Sequence, residues 1–427
     1  MPTLSVSPSF SESRASRPRR TSRILISAHA WYGDLIGGSF RLASEFAEHL
    51  AQSGHEVTYV CCAVTGQDSA PKPEFVNGVR LVRYSPPRSS FGGLRRLAAH
   101  LASSRRVVSR LNSQKPFDAV QGHSPLQYFG ALKALSSAQV TRSYAVHSPF
   151  DDEIAANRSS SHFSLAGTVA TTIASRIDRS NLRNSDHVLT MSRYTLDCLE
   201  RKHGGIAAKG SVLPGWVDTE SFYSADDRQS LRHSLGESWN TNVPVFFTLR
   251  RLEQRMGLET LIAAAAILRK HGFHFRVLIG GGGSLRNQLQ QQIIDLQLQD
   301  VVLLIGRIPE ARLQAHYAAA DCFVLPTRAL ECFGLIVLEA FACETPVIAS
   351  NVAAIPELAT YQGNEWLFPP GDANALADRM RQFLQGELNP AVGLREFAKS
   401  FDRKAMFARW TDALLHNRYT HSPCFAL

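Results

Sequence analysis

The feature that most constrains the fold is a regular alternation of short apolar runs with amphipathic helical stretches, which begins at residue 23. In the first half of the chain, the strand-like runs are RILISA, HEVTYVCC, FDAVQGH, RSYAVHS and SDHVLTMS. Helical patterns separate them, for example SFRLASEFAEHLAQSG, which ends at Gly54. Because each such crossover carries the chain back over the sheet, repeated strand–helix–strand units predict parallel sheets with helices on both faces.

A break in this alternation divides the chain. The segment SVLPGWVDTESF carries Pro214 and Gly215, and a second series of strands and helices follows it. A chain of 427 residues is also too long for one ordinary core. We therefore predict an α/β protein with two Rossmann-like, doubly wound parallel-sheet domains that face each other across a cleft. The predicted divisions are a disordered basic tail at 1–22, domains at 23–214 and 215–395, and a closing helix and tail at 396–427.

Cysteine usage and the longest apolar stretches bear on the compartment. The seven cysteines are odd in number and never spaced C-x-x-C, which argues against a disulfide framework or a zinc site and favours a reducing cytosol. The first 22 residues lack the apolar core of a secretory signal. The longest helical apolar stretch, LIAAAAIL, is far shorter than the ~20 residues of a membrane span. We expect a cytoplasmic protein.

The two halves of the chain differ in charge. Residues 1–215 contain 26 Lys and Arg against 15 Asp and Glu, whereas residues 216–427 contain 20 against 22. This asymmetry indicates that the first half faces an anionic partner that the second half does not.

The second domain carries a pair of acids beside a helix start. The strand CFVLP is followed by the loop TRALECFG, and a helix is predicted to begin near Leu335. Its free amides form a site suited to phosphate, and Gly334 lets the backbone approach a ligand. Glu331 and Glu339 have an alternative, purely structural explanation, because acids near a helix N-terminus stabilise the helix. Because an acid against a phosphate would repel it, the pair fits hydroxyl groups that flank the phosphates.

Three arginines follow the first strand of the second domain, at the same predicted edge of the sheet. They are Arg250, Arg251 and Arg255, within LRRLEQRMGLETL. Arginines at a strand end can clamp a diphosphate through paired hydrogen bonds, although an ordinary solvated basic loop would have the same composition.

From about residue 23 to 416, the chain resembles the GT-B-fold retaining glycosyltransferases of family 4, also called group 1. The matching motifs, in family order and at family spacing, are LPGWVDTESF, RRLEQRMGLETLI, IGGGGSL, LIGRIP, AAADCFVLPT, ECFGLIVLEAFACETPVIAS and AAIPEL. The most specific is the E-x7-E element with the Pro-Val strand after it. Members of this family move a sugar from a nucleotide diphosphate to an acceptor. The resemblance therefore implies an acceptor-side first domain and a second domain that binds the nucleotide sugar.

The resemblance assigns roles at the donor site. It implies that Glu331 contacts the transferred sugar, that Glu339 binds the ribose hydroxyls and that Arg251 holds the diphosphate. Arg255 would replace the lysine that the family usually has at Met256. The remaining donor contacts implied are the backbone of Phe333, Gly334 and Leu335, with Gly306 and Arg307 near the base.

Other positions depart from the family pattern. Glu344 stands where the family often has glycine, and Ala353 and Ala354 stand where it often has a glycine pair. We expect these to be backbone positions in loops and not to abolish activity.

The first domain offers candidates at its own strand ends. Gly37 and Gly38 precede the first helix and either form a tight turn or, as the resemblance implies, a loop over the donor diphosphate. His147 matches the active-site histidine of the family near the donor sugar. His123 and Asp151 are candidates for acceptor binding, although a structural histidine and a helix-start acid explain them as well.

A basic stretch runs from Val79 to Leu111. It contains eight arginines and no acid, with apolar residues interspersed. As a basic amphipathic helix it would suit an anionic membrane surface or a lipid-linked acceptor, and the alternative is a solvated surface helix. The predicted location is therefore cytoplasmic, with peripheral attachment to the inner membrane face.

Rival functions use similar sheets. A nucleotide-cofactor oxidoreductase would show G-x-G-x-x-G, but GGGGSL places Leu285 at the third glycine position. Basic charge would also fit a non-catalytic protein that binds sugar nucleotides or nucleic acid. The acidic pair and the arginines argue against a protein that has lost catalytic activity. The chain contains no D-x-D triplet, so we expect no metal and no cofactor. The predicted partners are a nucleotide-sugar donor, a glycan or lipid-linked acceptor and the membrane surface, without nucleic acid.

Overall fold

The computed structural model describes residues 21–63, 72–85, 93–156 and 165–415. Nearly all of the predicted N-terminal tail, the C-terminal tail from residue 416 and Arg88 of the basic stretch lie outside these ranges.

The first domain is built on a sheet of eight strands in the order β3-β4-β2-β1-β5-β6-β7-β8. All neighbours are parallel except β3 and β4, which form an antiparallel hairpin at one edge. The strands are β1 Arg23–Ser27, β2 Glu56–Cys62, β3 Glu74–Val76, β4 Val79–Tyr84, β5 Ala119–Gly122, β6 Thr141–Val146, β7 His187–Thr190 and β8 Gly210–Val212.

Among the described residues, six helices accompany this sheet. The first follows β1 directly and buries an apolar face that includes Leu42, Phe46 and Leu50. The helices are α1 Gly38–Gln52, α2 Leu94–Gln114, α3 Pro125–Ala134, α4 Phe150–Ala156, α5 Leu165–Arg183 and α6 Arg193–His203.

The second domain is built on an all-parallel sheet of six strands in the order β11-β10-β9-β12-β13-β14. Apart from the edge strand β11, its strands are almost wholly buried, as expected when helices cover both faces. They are β9 Val245–Leu249, β10 Arg276–Gly280, β11 Val302–Gly306, β12 Cys322–Leu325, β13 Val347–Ser350 and β14 Leu367–Phe368. These two parallel sheets with interleaved helices confirm the predicted fold class.

The remaining helices belong to the second half of the chain. Short 3-10 turns at Gln254–Met256, Glu310–Arg312, Thr360–Gln362 and Asn364–Trp366 supplement them. The helices are α7 Arg228–Leu235, α8 Leu258–Lys270, α9 Arg286–Asp295, α10 Leu313–Ala319, α11 Leu335–Ala342, α12 Pro356–Ala359, α13 Ala373–Leu384, α14 Leu394–Lys399 and α15 Arg403–Leu415.

Each sheet has one point where the order of its strands reverses. In the first sheet the chain moves outward from β1 through β2 and then restarts at β5 on the other side of β1. The second sheet does the same at β9, with β10 on one side and β12 on the other. Loops at the carboxyl ends of such strand pairs diverge and leave a crevice, which is where open α/β sheets bind ligands.

The last helix returns from the second domain to the first. Trp410 of α15 lies against Phe46 of α1, with ring centroids 5.7 Å apart, and its indole N–H donates to the Pro214 carbonyl at 2.9 Å. The predicted closing helix thus packs beside the junction between the two halves, and one apolar cluster runs through both sheets there.

Sequence patterns missed three strands of the first sheet, and they also missed β14 of the second sheet. The hairpin of β3 and β4 lies within or next to the segment predicted as a basic helix, and β8 occupies part of the segment predicted to break the pattern. All three are at or near the edge of the first sheet and are short or rich in charged residues, so they lack the apolar signature of central strands.

Candidate active site

Two loops meet where the second sheet changes strand order, one after β9 and the other after β12. They approach so closely at Gly257 that a Cβ atom there would lie 1.9 Å from the carbonyl oxygen of Pro326. Gly257 also has φ +70°, which side chains with a Cβ rarely adopt. The amide of Arg328 donates to the Arg255 carbonyl at 2.8 Å. These contacts hold the arginines of the first loop beside the acid of the second.

The three arginines occupy different positions. Arg250 is the innermost, and its Nη2 donates to Glu331 Oε2 and to Thr327 Oγ1, both at 3.0 Å. Arg255 donates from Nη1 to the Leu330 carbonyl at 2.7 Å. Arg251 is exposed at the rim. Sequence reasoning gave Arg250 no individual role, but the structure gives it the direct bond to Glu331.

Two of these guanidinium groups have unused donors. The Nε atoms of Arg250 and Arg255 are buried and make no hydrogen bond to the described part of the chain. Burial, followed by the neighbouring charges of Arg251 and Arg250, lowers the pKa of Arg255. Positive charges crowded together with unsatisfied N–H groups are suited to a multiply charged anion. Met256 is buried and supplies no cation in place of the family lysine.

The start of α11 lies at the same crevice. Gly334 is its N-cap with φ +95°, so the first amides of the helix are presented by a left-handed turn. Phe333 is buried against Phe401, which leaves its backbone to face the loop. The side chain of Leu335 reaches the first domain, 3.5 Å from where a Cβ of Gly38 would stand. The structure thus brings Gly37 and Gly38, at the start of α1, against the start of α11.

Glu339 lies one turn into α11 and is buried. Its Oε1 accepts a hydrogen bond from Arg41 Nη1 at 2.9 Å, and its Oε2 accepts one from the Tyr317 hydroxyl at 2.8 Å. Burial raises the pKa of Glu339, while Arg41 and Tyr317 act in the opposite direction. The carboxylate therefore has two fixed partners and keeps further lone pairs for a ligand hydroxyl.

Arg41 of α1 crosses between the domains. Besides Glu339, it contacts Glu45 of its own helix at 2.8 Å and Glu310 of the second domain at 3.6 Å. Burial alone would lower the pKa of Arg41, but Glu339 and Glu45 hold it above its usual range. Sequence reasoning missed Arg41. The pattern of an amphipathic helix does not show which of its basic residues will contact acids from a distant segment of the chain.

Gly306 is the last residue of β11 and Arg307 follows it, two strands away from β9 and at the same edge of the sheet. Gly306 has φ +77°, and its carbonyl accepts a hydrogen bond from the Gly281 amide at 2.7 Å. Arg307 is exposed beside Gly282. The base-binding role of both residues stays a prediction.

The equivalent edge of the first sheet carries histidines. His29, His123 and His147 follow β1, β5 and β6 respectively. His123 is only 4% exposed; its Nδ1 lies 3.1 Å from His147 Nε2, and its Nε2 lies 3.0 Å from Gln121 Oε1. The expectation that His123 binds the acceptor directly is therefore corrected, because both of its ring nitrogens are already bonded to protein. It supports His147 instead.

Asp151 forms an ion pair. It lies at the start of α4, and its Oδ1 accepts a hydrogen bond from Lys202 Nζ at 2.9 Å. Lys202 holds Asp152 as well, at 2.5 Å. This arrangement fits the helix-start explanation of the acidic cluster, and acceptor binding by Asp151 stays a prediction.

The basic stretch proves to be two different elements. Arg80 and Arg83 lie on β4, where Arg83 pairs with Asp34 at 2.6 Å and with Glu74. On α2, the apolar residues Val108 and Leu111 are buried in the core of the first domain. The predicted amphipathic helix is therefore wrong in its extent and in its free apolar face. An exposed basic surface remains on α2, formed by Arg95, Arg96, Arg105, Arg106 and Arg110.

The described residues contain neither a membrane-spanning helix nor a metal-binding cluster. No helix among them is both long enough and apolar enough to cross a bilayer. Residues 21–63, 72–85, 93–156 and 165–415 contain no group of three or more His, Cys, Asp or Glu that could hold a metal ion. Metal independence remains a prediction.

Two family models match consecutive parts of the chain. The model described as Glycosyltransferase Family 4 matches residues 36–221, and the model described as Glycosyl transferases group 1 matches residues 232–404. The first range falls in the first domain and the second in the second domain. The chain belongs to the group 1 glycosyltransferases of family 4.

Curated relatives match parts of the chain. Over 183 residues it is 35% identical to a GDP-mannose-dependent alpha-(1-6)-phosphatidylinositol monomannoside mannosyltransferase of Mycolicibacterium smegmatis, which covers 41% of this chain and 46% of that protein. Over 145 residues it is 36% identical to the amylovoran biosynthesis glycosyltransferase AmsK of Erwinia amylovora, covering 33% of this chain and 36% of the relative. The matches thus span less than half the length of each of these two relatives.

Solved structures share the whole architecture. A sucrose-phosphate synthase from Thermosynechococcus elongatus superposes with a TM-score of 0.75 at 21% identity and covers 92% of this chain and 98% of that chain. The HepE protein of Anabaena, in complex with UDP-glucose, superposes with a TM-score of 0.71 at 18% identity, covering 92% and 100%. At these identities the likeness establishes the GT-B fold.

Proposed function

We propose that this protein is a retaining glycosyltransferase that moves a hexose from a nucleotide-diphosphate sugar to a glycan or lipid-linked acceptor in polysaccharide or glycolipid biosynthesis. Mannose and glucose are the favoured sugars, and similarity to a GDP-mannose-dependent mannosyltransferase supports mannose.

The observation that supports this proposal most is the pairing of opposite charges where the second sheet changes strand order. Arg250 and Arg255 bring buried, unused N–H donors to the same crevice as the first amides of α11. Glu331 and Glu339 stand on either side of that helix start. A sugar nucleotide has this pattern, with hydroxyl groups on both sides of a diphosphate.

The chemistry follows from the charges. As the bond between sugar and diphosphate breaks, negative charge grows on the leaving phosphate, and Arg251, Arg255 and the α11 amides would neutralise it. Glu331 is tied to Arg250 and is therefore poorly placed to attack the sugar as a nucleophile. We therefore propose that the acceptor attacks on the same face from which the phosphate leaves, with the leaving phosphate assisting. No metal is needed in this scheme, because the arginines and amides supply the compensating charge.

We place the acceptor on the first domain. The basic surface of α2 stands beside the histidine-bearing edge, and it suits an acceptor or membrane with negative charge. Its apolar face is buried, so attachment would be electrostatic and without insertion. This proposal includes a cytoplasmic location with peripheral attachment.

A donor panel tests the proposal against its rivals. The purified chain is incubated with GDP-mannose, GDP-glucose, UDP-glucose and ADP-glucose, and release of the nucleoside diphosphate is measured with and without candidate lipid and glycan acceptors. We expect release from one donor above the others, increased by an acceptor. Nucleotide binding without release would favour a non-catalytic protein. Reduction of a nicotinamide cofactor without sugar-dependent release would favour an oxidoreductase.

A further inference from the structure

Five polar side chains form a continuous row of hydrogen bonds that crosses from the first domain to the second. In its first part, Glu45 of α1 accepts at Oε2 from the Trp216 indole N–H at 2.6 Å and at Oε1 from Arg41 Nε at 2.8 Å. In its second part, Glu339 accepts from Arg41 Nη1 at 2.9 Å and from the Tyr317 hydroxyl at 2.8 Å. Indole and guanidinium groups only donate and carboxylates only accept, so the direction of each bond follows from the residue types.

The row fixes the carboxylate of Glu339. Each of its two oxygens has one donor from the protein, Arg41 at Oε1 and Tyr317 at Oε2. An ionised carboxylate has about four acceptor positions, so each oxygen keeps one. Two free positions on neighbouring oxygens match a pair of hydroxyl groups on adjacent carbons, as in a ribose. One of the two groups that fix this carboxylate therefore belongs to the other domain.

Negative charge outweighs positive charge around Arg41. Glu45 and Glu339 contact its guanidinium directly, and Glu310 Oε1 lies 3.6 Å from its Nε. Burial raises the pKa of Glu339, Arg41 and Tyr317 act in the opposite direction, and Glu310 adds to the increase. Without Arg41, Glu339 would lose a compensating charge, whereas its burial and its acidic neighbours would remain.

The carboxylates are the groups of this cluster that can titrate near neutral pH. Burial raises the pKa values of Tyr32, Tyr317 and Cys343, so these groups stay uncharged between pH 6 and 8. The arginines of the cluster stay charged. The titratable and charged groups that face Glu339 are Tyr32, Arg41 and Glu45 of the first domain and Glu310, Tyr317, Cys343 and, beyond Tyr317, Arg250 of the second.

We propose that Arg41 is a positioning residue for donor binding, which keeps the Glu339 carboxylate charged and fixed so that it accepts both hydroxyls of a ribose. The ribose part of this inference rests on the proposed function, whereas the control of the Glu339 charge concerns the protein alone. Through Arg41, the first domain contributes to the nucleotide affinity of the second.

Carbon NMR tests the charge of Glu339 without any ligand. In protein labelled with ¹³C at the glutamate carboxyl carbons, the Glu339→Gln variant identifies the Glu339 signal, and its shift is followed with pH. We expect Arg41→Gln to move the Glu339 titration to higher pH than in the native protein. Glu310→Gln should move it to lower pH, because that change removes a neighbouring acid.

The NMR titration has clear contrary outcomes. The same Glu339 titration in the native protein and in Arg41→Gln would overturn the proposal. If Arg41→Gln does not fold, Glu310→Gln decides, since an unchanged titration there would show that neighbouring charges do not control Glu339.

Isothermal titration calorimetry with GDP and UDP tests the ribose part. Because binding needs the carboxylate, affinity is lost as the pH falls through the pKa of Glu339. Between pH 8 and pH 6, we expect the dissociation constant to rise about tenfold more in Arg41→Gln than in the native protein, which corresponds to a shift of about one pKa unit. Arg41→Lys keeps the positive charge and is the matched control, with a pH profile within about threefold of native.

The pH profile separates positioning from simple packing. Loss of affinity by the same factor in Arg41→Gln and Arg41→Lys at every pH would overturn the proposal. If a nucleoside diphosphate binds with the expected profile but the donor panel shows no sugar transfer, the proposed function fails and the role of Arg41 stands. If neither GDP nor UDP binds, the ribose part is wrong, and the NMR titration still decides the charge of Glu339.

Discussion

The two sheets end in edges of opposite chemical character. At the edge of the first sheet, His123 is buried and lies within hydrogen-bonding distance of His147, and burial lowers the pKa of both rings. At the edge of the second sheet, Arg250 and Glu331 are charged and paired, and Arg255 lies beside them. Both edges lie at the same topological position, where the strand order reverses.

Strand order therefore determines where a crevice lies, whereas a few loop residues determine its chemistry. Charge compensation is needed where a diphosphate binds, and the second edge supplies it with buried N–H donors. Neutral hydrogen-bonding groups suit hydroxyls, and the first edge supplies those. Arg41 joins the two edges, because it belongs to the first domain and bonds Glu339 of the second.

The largest effect is expected from reversing the basic surface of the first domain. Changing Arg95, Arg96, Arg105 and Arg106 to Glu should lower affinity for anionic vesicles by about three orders of magnitude, given about 1 kcal/mol for each basic residue near a charged membrane. Co-sedimentation with phosphatidylglycerol vesicles measures this, and native binding should weaken as salt rises.

A matched control for that experiment is the reversal of four exposed basic residues of the second half of the chain, Arg269, Lys270, Arg286 and Lys399, which should leave vesicle binding unchanged. If the native protein binds neutral phosphatidylcholine vesicles equally well, or binds no vesicles at all, the proposed electrostatic attachment to a membrane is wrong. A soluble acceptor would then be the remaining candidate.

Next in size is the removal of a cation from the second edge. Arg251→Ala should lower kcat/KM by about 10²- to 10³-fold, because it removes a charge that stabilises the leaving diphosphate. Steady-state nucleotide release measures the loss. Arg269→Ala is the matched control, since Arg269 is a surface arginine paired with Asp300. Activity within threefold of native would show that Arg250 and Arg255 suffice without Arg251.

A smaller effect is expected at the ribose site. Glu339→Gln should weaken binding of the nucleoside diphosphate about tenfold, since a hydrogen bond to a charged group contributes about 1.5–3 kcal/mol. Isothermal titration calorimetry measures the dissociation constant. Glu396→Gln, an exposed acid of α14, should leave it unchanged. Native affinity in a folded Glu339→Gln variant would contradict the assignment.

The smallest expected effect is that of chelation. Because arginines and helix amides compensate the donor charge, excess EDTA should leave the rate of nucleotide release within about twofold of native. Complete loss of release with recovery on addition of Mn²⁺ would mean that a cation supplies the charge assigned to the second edge.

The sequence predicted the repeated parallel units well, because central strands of such sheets are buried on both faces and read as apolar runs. The segments CFVLP and PVIAS correspond to β12 and β13. It predicted the edge strands β3 and β8 poorly, since strands with few buried residues carry no such signal.

The residues of the candidate site were likewise predictable only in part. The relative positions of residues close together in the chain, such as Glu331, Gly334 and Glu339, could be predicted from one loop and the helix that follows it. The bonds of Arg41 to Glu339 and of Lys202 to Asp151 join distant segments, and no local pattern encodes them.

Two departures from the family pattern have a backbone basis. Glu344 and Ala353 have φ values of +57° and +53°, the left-handed region that glycine adopts without strain. The expectation that these are backbone positions therefore has a physical reason, and the strain at each is of the order of 1 kcal/mol.

Hydrogen–deuterium exchange on addition of a nucleoside diphosphate tests most directly the claim that the donor binds the second edge. At saturating GDP or UDP, we expect the largest protection in residues 250–257 and 327–339, with little change in residues 119–123 and 141–148. Protection concentrated in the two first-domain segments, or no protection anywhere at saturation, would contradict it.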